Sequence, residues 1–153
     1  MLLFLSLITG LANADSLDHD LSYGWVWETS PTVEICPDSK ITTNEVVDSL
    51  SYWFDKGVDV DIAEIKNVDY CDLDKRNVIQ IMGDRDVASD ENARTKIKWY
   101  YYGTRGKNTT YYIKGARVQL PSDVLDNKTV VLHEFGHALG LEHSPNHIMQ
   151  SHH

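Results

Sequence analysis

The sequence predicts a single α+β domain, and its composition and the order of its segments are the observations behind that prediction. The chain has 153 residues, 42% of them hydrophobic and 24% charged, which suits one domain with a buried core rather than a disordered or fibrous chain. A strand, a capped helix and a second strand come first, a hairpin pattern follows, and an apolar helix lies in the last quarter. The net charge of −9 argues against nucleic acid or an anionic membrane as the main partner.

The N-terminal segment has the pattern of a secretory signal. Residues 1–11 are apolar, uncharged and too short to span a bilayer, and Ala12-Asn13-Ala14 matches the small-residue motif that signal peptidase cleaves. We therefore expect a signal peptide over residues 1–14 and one mature domain over residues 15–153, located outside the cell or in a periplasm and not bound to a membrane. A buried N-terminal strand or an uncleaved anchor is the alternative interpretation of the same segment.

The chain contains two cysteines, Cys36 and Cys71. Export to an oxidising compartment favours a disulfide between them, which would stabilise the fold by about 3–4 kcal/mol in the chain-entropy treatment. The alternative is a free cysteine that binds metal or reacts, although neither residue has the spacing of a metal ligand.

The first half of the mature chain predicts a strand, a helix and another strand. Residues 32–35 are rich in β-branched side chains and predict a short strand. Thr42 and Glu45 match a capping box, so a helix should begin there and end at Gly57. Residues 78–82 are apolar enough to predict an internal strand.

A polar loop and a hairpin should follow. Residues 84–92 carry four acidic side chains that could ligate Ca²⁺, but they lack the spacing of an EF-hand, and a solvated loop is the alternative. Residues 97–102 and 109–113 flank a turn-rich segment and predict a hairpin whose tyrosines pack across the strands. Residues 115–120 predict a further strand or an extended edge.

The residues that carry chemistry lie in the predicted C-terminal helix. His133 and His137 are four positions apart and therefore on one helix face, where two imidazoles can bind one metal ion. Gly140 tolerates positive φ, so the helix can end there and the chain can turn back to bring His143 to the same ion. Three imidazoles with one open position are typical of a catalytic Zn²⁺ site, and Glu134 can project toward a water there. The alternative, histidines that merely fill the core, is costly beside a carboxylate in an apolar helix.

The segment HEFGHALGLEHS, residues 133–144, resembles the zinc signature of the metzincin metallopeptidases. Gly136, Leu141 and Ser144 make it most similar to the matrixin branch. The resemblance implies a zincin-like fold, which is a twisted mixed β-sheet with an antiparallel edge strand beside the substrate cleft and two long helices. It also implies that Met149 forms the Met-turn, a methionine beneath the zinc.

These features predict a secreted zinc-dependent endopeptidase with one catalytic Zn²⁺ ion held by His133, His137 and His143. A metal-activated water would attack the peptide bond, with Glu134 as general base. We expect a monomer that takes an extended peptide or protein substrate along a sheet edge. The alternatives are a secreted zinc-binding interaction protein with a degenerate, non-turnover site, and a structural zinc domain.

Three further histidines follow the signature, namely His147, His152 and His153. They could compete for zinc or bind a second ion. A flexible, solvated C-terminal segment is the prediction we favour for them.

Overall fold

The computed structural model describes residues 20–83, 93–145 and 147–151. The predicted signal peptide, the acidic loop at residues 84–92 with its candidate Ca²⁺ ligands, and His152 and His153 lie outside these ranges. Within them, no helix combines the length and the apolar character needed to cross a bilayer.

Six strands in the described residues form one mixed sheet, which confirms the α+β class. In chain order they are β1 (Val26–Trp27), β2 (Thr32–Ile35), β3 (Glu64–Asn67), β4 (Val78–Met82), β5 (Arg94–Tyr100) and β6 (Tyr112–Gln119). In this described part of the chain, two helices pack on the sheet, α1 (Thr43–Asp55) and α2 (Lys128–Ala138), and a 3₁₀ turn (Ser122–Val124) precedes the second.

The sheet has the order β3-β2-β4-β6-β5. Strands β2, β3, β4 and β6 are mutually parallel where they pair, and β1 adds a short parallel pairing to the start of β6. Strand β5 runs antiparallel to β6 and, among the described residues, pairs with no other strand. It therefore forms one edge of the sheet.

Helix α1 begins where the capping box predicts. The Thr42 side chain accepts from the Glu45 amide, and the Glu45 carboxylate accepts from the Thr42 amide at 2.7 Å. The buried face carries Val46, Leu50 and Trp53, and the Trp53 indole donates to the Leu132 carbonyl at 2.8 Å. This hydrogen bond ties α1 to α2.

The two faces of the sheet differ in chemistry. The face toward the helices is apolar and includes Val33, Ile35, Ile79, Ile81, Ala116 and Val118. The outer face carries a row of polar side chains that are neighbours across five strands, in the order Lys66, Glu34, Gln80, Arg117 and Lys96. Residues 71–77 lie over part of this outer face, since the Leu73 carbonyl accepts hydrogen bonds from both Lys98 and Arg117.

The predicted pairing of Cys36 with Cys71 is present as a disulfide, with the two Cα atoms 5.7 Å apart. It fixes the start of the segment that covers the outer face. Beside it, the buried carboxylate of Glu34 forms an ion pair with Lys75.

The predicted hairpin exists, but its strand boundaries were wrong. Residues 112–119 form one continuous strand instead of two, since the antiparallel pairing with β5 runs through this whole length with a bulge between Lys98 and Trp99. Tyr100 and Tyr112 face each other across the pair, with ring centroids 5.7 Å apart, as the cross-strand packing prediction requires.

Candidate metal centre

Three histidines converge at the C-terminal end of α2. His133 and His137 project from the helix, and His143 comes from the segment that follows it. The Nε2 atoms of His133 and His137 lie 3.0 Å apart, and those of His137 and His143 lie 3.2 Å apart. The structure thus brings together the three residues that the spacing in the sequence singles out.

Backbone carbonyls orient two of the three rings. The Nδ1 of His133 is 2.8 Å from the Ile148 carbonyl oxygen, and the Nδ1 of His137 is 2.8 Å from the Leu141 carbonyl oxygen. A carbonyl can only accept, so each Nδ1 carries the proton and donates it. In the neutral ring the Nε2 then presents a lone pair to the cluster.

The donor set fits a zinc ion. Two Nε2 lone pairs 3.0 Å apart repel each other unless a cation lies between them, because neither atom has a proton to share. Nitrogen ligands about 2.0–2.1 Å from a tetrahedral Zn²⁺ are about 3.4 Å from one another, close to the spacing observed. Burial, aided by the neighbouring His133 and His143, lowers the pKa of His137 to about 4, although its hydrogen bond to Leu141 acts in the opposite direction. The ring is therefore neutral, which is the form that binds metal, at physiological pH.

Gly140 makes the turn that delivers His143. Its φ of +102° ends the helix, as predicted, and the Leu141 amide closes the turn on the Gly136 carbonyl at 3.0 Å. A Cβ at Gly140 would lie 2.2 Å from the Trp25 carbonyl oxygen. The Gly140 carbonyl in turn accepts hydrogen bonds from the amides of Gly24 and Trp25, so the N-terminal arm (residues 20–25) braces this turn.

Met149 is fully buried beneath the helix segment that carries the ligands. A Cβ at Gly136 would lie 2.3 Å from the Met149 sulfur and 2.8 Å from the Trp53 ring. Glycine at position 136 therefore lets the methionine pack against the helix backbone between His133 and His137. The Ser144 amide donates to the Met149 carbonyl at 2.9 Å and closes the loop that carries His143.

Glu134 follows His133 on α2 and is only 7% exposed. Thr95, on the inner face of β5, donates its hydroxyl to Glu134 Oε2 at 2.6 Å, and the same hydroxyl lies 2.9 Å from the Glu134 carbonyl oxygen. Thr95 belongs to no motif that would identify it from the sequence, and the predicted strand began only at residue 97. Because β5 begins at Arg94, Thr95 lies two residues before Ile97 in the same strand, and the two side chains therefore share the inner face.

The prediction that His147 is solvated was wrong. Its ring is half-buried and lies 5.7 Å from the Trp53 ring, because the turn that joins the Gln150 amide to the His147 carbonyl folds this segment back toward α1. Among the described residues, the group that could hold one metal ion consists of His133, His137 and His143, and His147 is not part of it.

The family model of the matrixins matches residues 54–152, nearly two thirds of the chain. The match includes the three histidines, Glu134 and Met149. Neither the curated proteins nor the solved structures gave a match.

Proposed function

The chain belongs to the matrixin family, and from this premise we propose that it is a secreted zinc-dependent endopeptidase. The observation that carries the proposal is the convergence of three histidine nitrogens at α2, the helix that also carries the buried side chain of Glu134. Fold and family support a metallopeptidase in general. The individual roles below are our assignment.

His133, His137 and His143 would hold the ion through Nε2. When bound, Zn²⁺ supplies a Lewis acid that polarises the scissile carbonyl and makes water a better nucleophile. The carbonyls of Ile148 and Leu141 keep His133 and His137 in the tautomer that binds metal. Met149 would form the Met-turn, a rigid apolar support under the ligands.

Glu134 would be the general base. Its carboxylate would take a proton from the attacking water and later deliver it to the nitrogen of the leaving amine. The Thr95 hydroxyl donates to Oε2 and so restricts the rotation of the carboxylate. Burial beside α2 and β5 limits competition from bulk water for these hydrogen bonds.

The substrate would be an extended peptide or protein segment that adds a strand to β5. This strand has an edge that no described strand occupies, and its residue Thr95 contacts the candidate base. Main-chain hydrogen bonds to a sheet edge bind an extended chain with little dependence on its side chains. Such a chain would pass close to Glu134.

The organisation of the protein is also part of the proposal. Residues 1–14 would be the signal peptide, and residues 15–153 one monomeric catalytic domain that acts outside the cell or in a periplasm. The disulfide between Cys36 and Cys71 is compatible with an oxidising compartment.

Two measurements on the purified protein test this proposal. Zinc content should approach one ion per chain and fall in a His137→Ala variant, which removes one of the three nitrogens. Hydrolysis of a peptide library should be detectable for the wild type and lost in Glu134→Gln, which keeps the shape of the side chain but cannot accept the proton. Stoichiometric zinc with an inert wild type would favour the non-turnover binding protein, and absence of zinc would contradict the proposal.

A further inference from the structure

The strand proposed to bind substrate carries positive charge on one face. Along β5 the side chains alternate, with Arg94, Lys96 and Lys98 on the outer face and Thr95 and Ile97 on the inner face. Side chains on the same face of a strand are about 6.8 Å apart. This run of cations is notable in a chain whose net charge is −9.

Lys96 lies at the centre of this run. It is exposed, and it forms no hydrogen bond or ion pair with any residue in the described part of the chain. Lys98, by contrast, forms an ion pair with Asp74 at 3.0 Å. The charge of Lys96 is therefore available to a ligand.

A second cationic side chain lies next to Lys96, across the strand pair. Arg117 is its cross-strand neighbour on β6 and donates to the neutral Leu73 carbonyl, without an ion pair to any described residue. Lys96 and Arg117 line a cavity of about 380 Å³ together with Lys75 and Lys98. Glu34 pairs with Lys75 and Asp74 with Lys98, so the excess positive charge at this cavity comes from Lys96 and Arg117 and favours a negatively charged occupant.

The position of Lys96 relates this charge to the cleavage site. Thr95, the preceding residue, contacts the candidate base Glu134. A peptide paired with β5 would place one side chain directly opposite Lys96, with the Cβ atoms about 4.5–5.5 Å apart, and its neighbours two positions away would lie near Arg94 and Lys98. These peptide positions would fall within a few residues of the bond to be cleaved.

From this geometry we propose that Lys96, supported by Arg117, is a specificity-determining residue that selects extended substrates with Asp or Glu at alternate positions near the scissile bond. The inference rests on the proposed function, since it assumes that substrate pairs with β5. To the proposed function it adds the chemical class of the preferred substrate, an extended peptide with acidic side chains. The acidic side chains would lie on the outer face, and the intervening side chains would point toward α2.

A glutamate scan through one cleavable peptide tests the proposal. Single glutamates, each compared with glutamine at the same position, should raise kcat/KM about threefold at every second position and have little effect between them. A peptide with two glutamates moved by one residue keeps its net charge and should lose the advantage, because the side chains then point to the inner face. The preference should weaken at high salt, since the interaction is between exposed charges.

Charge reversal provides the matched comparison. Lys96→Glu should invert the preference at the responsive positions and favour lysine there. Lys40→Glu changes the net charge equally, but at an exposed residue between β2 and α1 rather than on β5. This control should keep the preference for glutamate at every second peptide position. A pattern without a two-residue period, or one that persists in Lys96→Glu, would overturn the proposal.

Binding separates this proposal from the proposed function. If the wild type hydrolyses no peptide, fluorescence anisotropy with the same labelled peptides still measures the preference in the absence of turnover. Tighter binding of glutamate than of glutamine at every second peptide position, lost in Lys96→Glu, would support the acidic selectivity even though the enzymatic proposal had failed. Binding to heparin that depends on Lys96, together with equal binding of glutamate and glutamine peptides, would assign the surface to a polyanion and overturn the inference.

Discussion

The hydroxyl of Thr95 donates to Glu134 Oε2 at 2.6 Å and thereby joins the edge strand β5 to the helix α2. This hydrogen bond links two functions that would otherwise be separate. In the proposed function, strand β5 would offer main-chain groups to an extended peptide, and Glu134 would be the general base. A peptide that pairs with β5 therefore binds to the same strand that holds the carboxylate in place.

Replacing Thr95 by valine should lower kcat about 10- to 100-fold and leave KM nearly unchanged. Valine has the same shape but cannot donate, and a hydrogen bond to a charged group contributes about 1.5–3 kcal/mol. Steady-state kinetics on a single peptide measure both parameters. Thr95→Ser restores the donor and should recover most of kcat, while the zinc content stays the same in both variants. If serine and valine behave alike, the hydroxyl does not position the base.

Replacing Gly140 by alanine should destabilise the protein by about 2–5 kcal/mol, from positive φ and overpacking together, and weaken zinc binding. Gly103→Ala is the matched control, because Gly103 also has positive φ (+76°) but a Cβ there meets no atom within 4 Å. The control should cost about 1–2 kcal/mol, the price of positive φ alone. The loss of stability in Gly140→Ala beyond that in Gly103→Ala would measure the clash with the Trp25 carbonyl oxygen, which would lie 2.2 Å from the added carbon.

Urea denaturation and competition with a chromophoric chelator measure the two effects at Gly140. Zinc affinity should fall because the turn at Gly140 places His143, and Gly103→Ala should leave it unchanged. Equal destabilisation by the two substitutions would show that the arm does not constrain this turn.

Apart from the disulfide, for which Cys36 and Cys71 are the two cysteines of the chain, the features that were predictable from the sequence are those whose partners are close along the chain. The capping box of Thr42 and Glu45 spans three residues, and the histidines lie within one helix and its turn, so local periodicity identifies them. Strand β3 was not predicted, since its segment EIKN is polar and half-exposed and shows no apolar alternation. Thr95 and the arm at Trp25 reach the site through contacts between distant parts of the chain, which no local pattern encodes.

Replacing Gly136 by alanine should destabilise the protein despite the higher helix propensity of alanine. The propensity gain is about 1 kcal/mol, whereas overpacking a filled core costs about 1–3 kcal/mol. The added carbon would meet the Met149 sulfur and the rigid ring of Trp53, so we expect a net loss of up to about 2 kcal/mol. Gly106→Ala, at a position where a Cβ meets no atom within 4 Å, should change the stability by less than about 0.5 kcal/mol.

A double-mutant cycle identifies the contact at Gly136. In a Met149→Ala background the sulfur is absent, so Gly136→Ala should cost about 1 kcal/mol less than it does in the wild type. Additive effects of the two substitutions, measured by denaturant unfolding, would show that Met149 does not pack against the helix at this point.

The metal-free protein should lose stability as the pH falls from about 6.5 to 4. The pKa of His137 is about 4 in the folded state and 6.5 without the fold, mainly because burial disfavours the charged ring. In this interval the unfolded chain binds more protons than the folded one, so acid favours unfolding. The stability associated with neutral His137 is fully present above pH 6.5, and about 3 kcal/mol of it is lost by pH 4. Urea denaturation in the presence of EDTA at a series of pH values measures it. His137→Gln removes the titrating group and should flatten this part of the profile, and a slope unchanged by the substitution would assign the acid sensitivity to other groups.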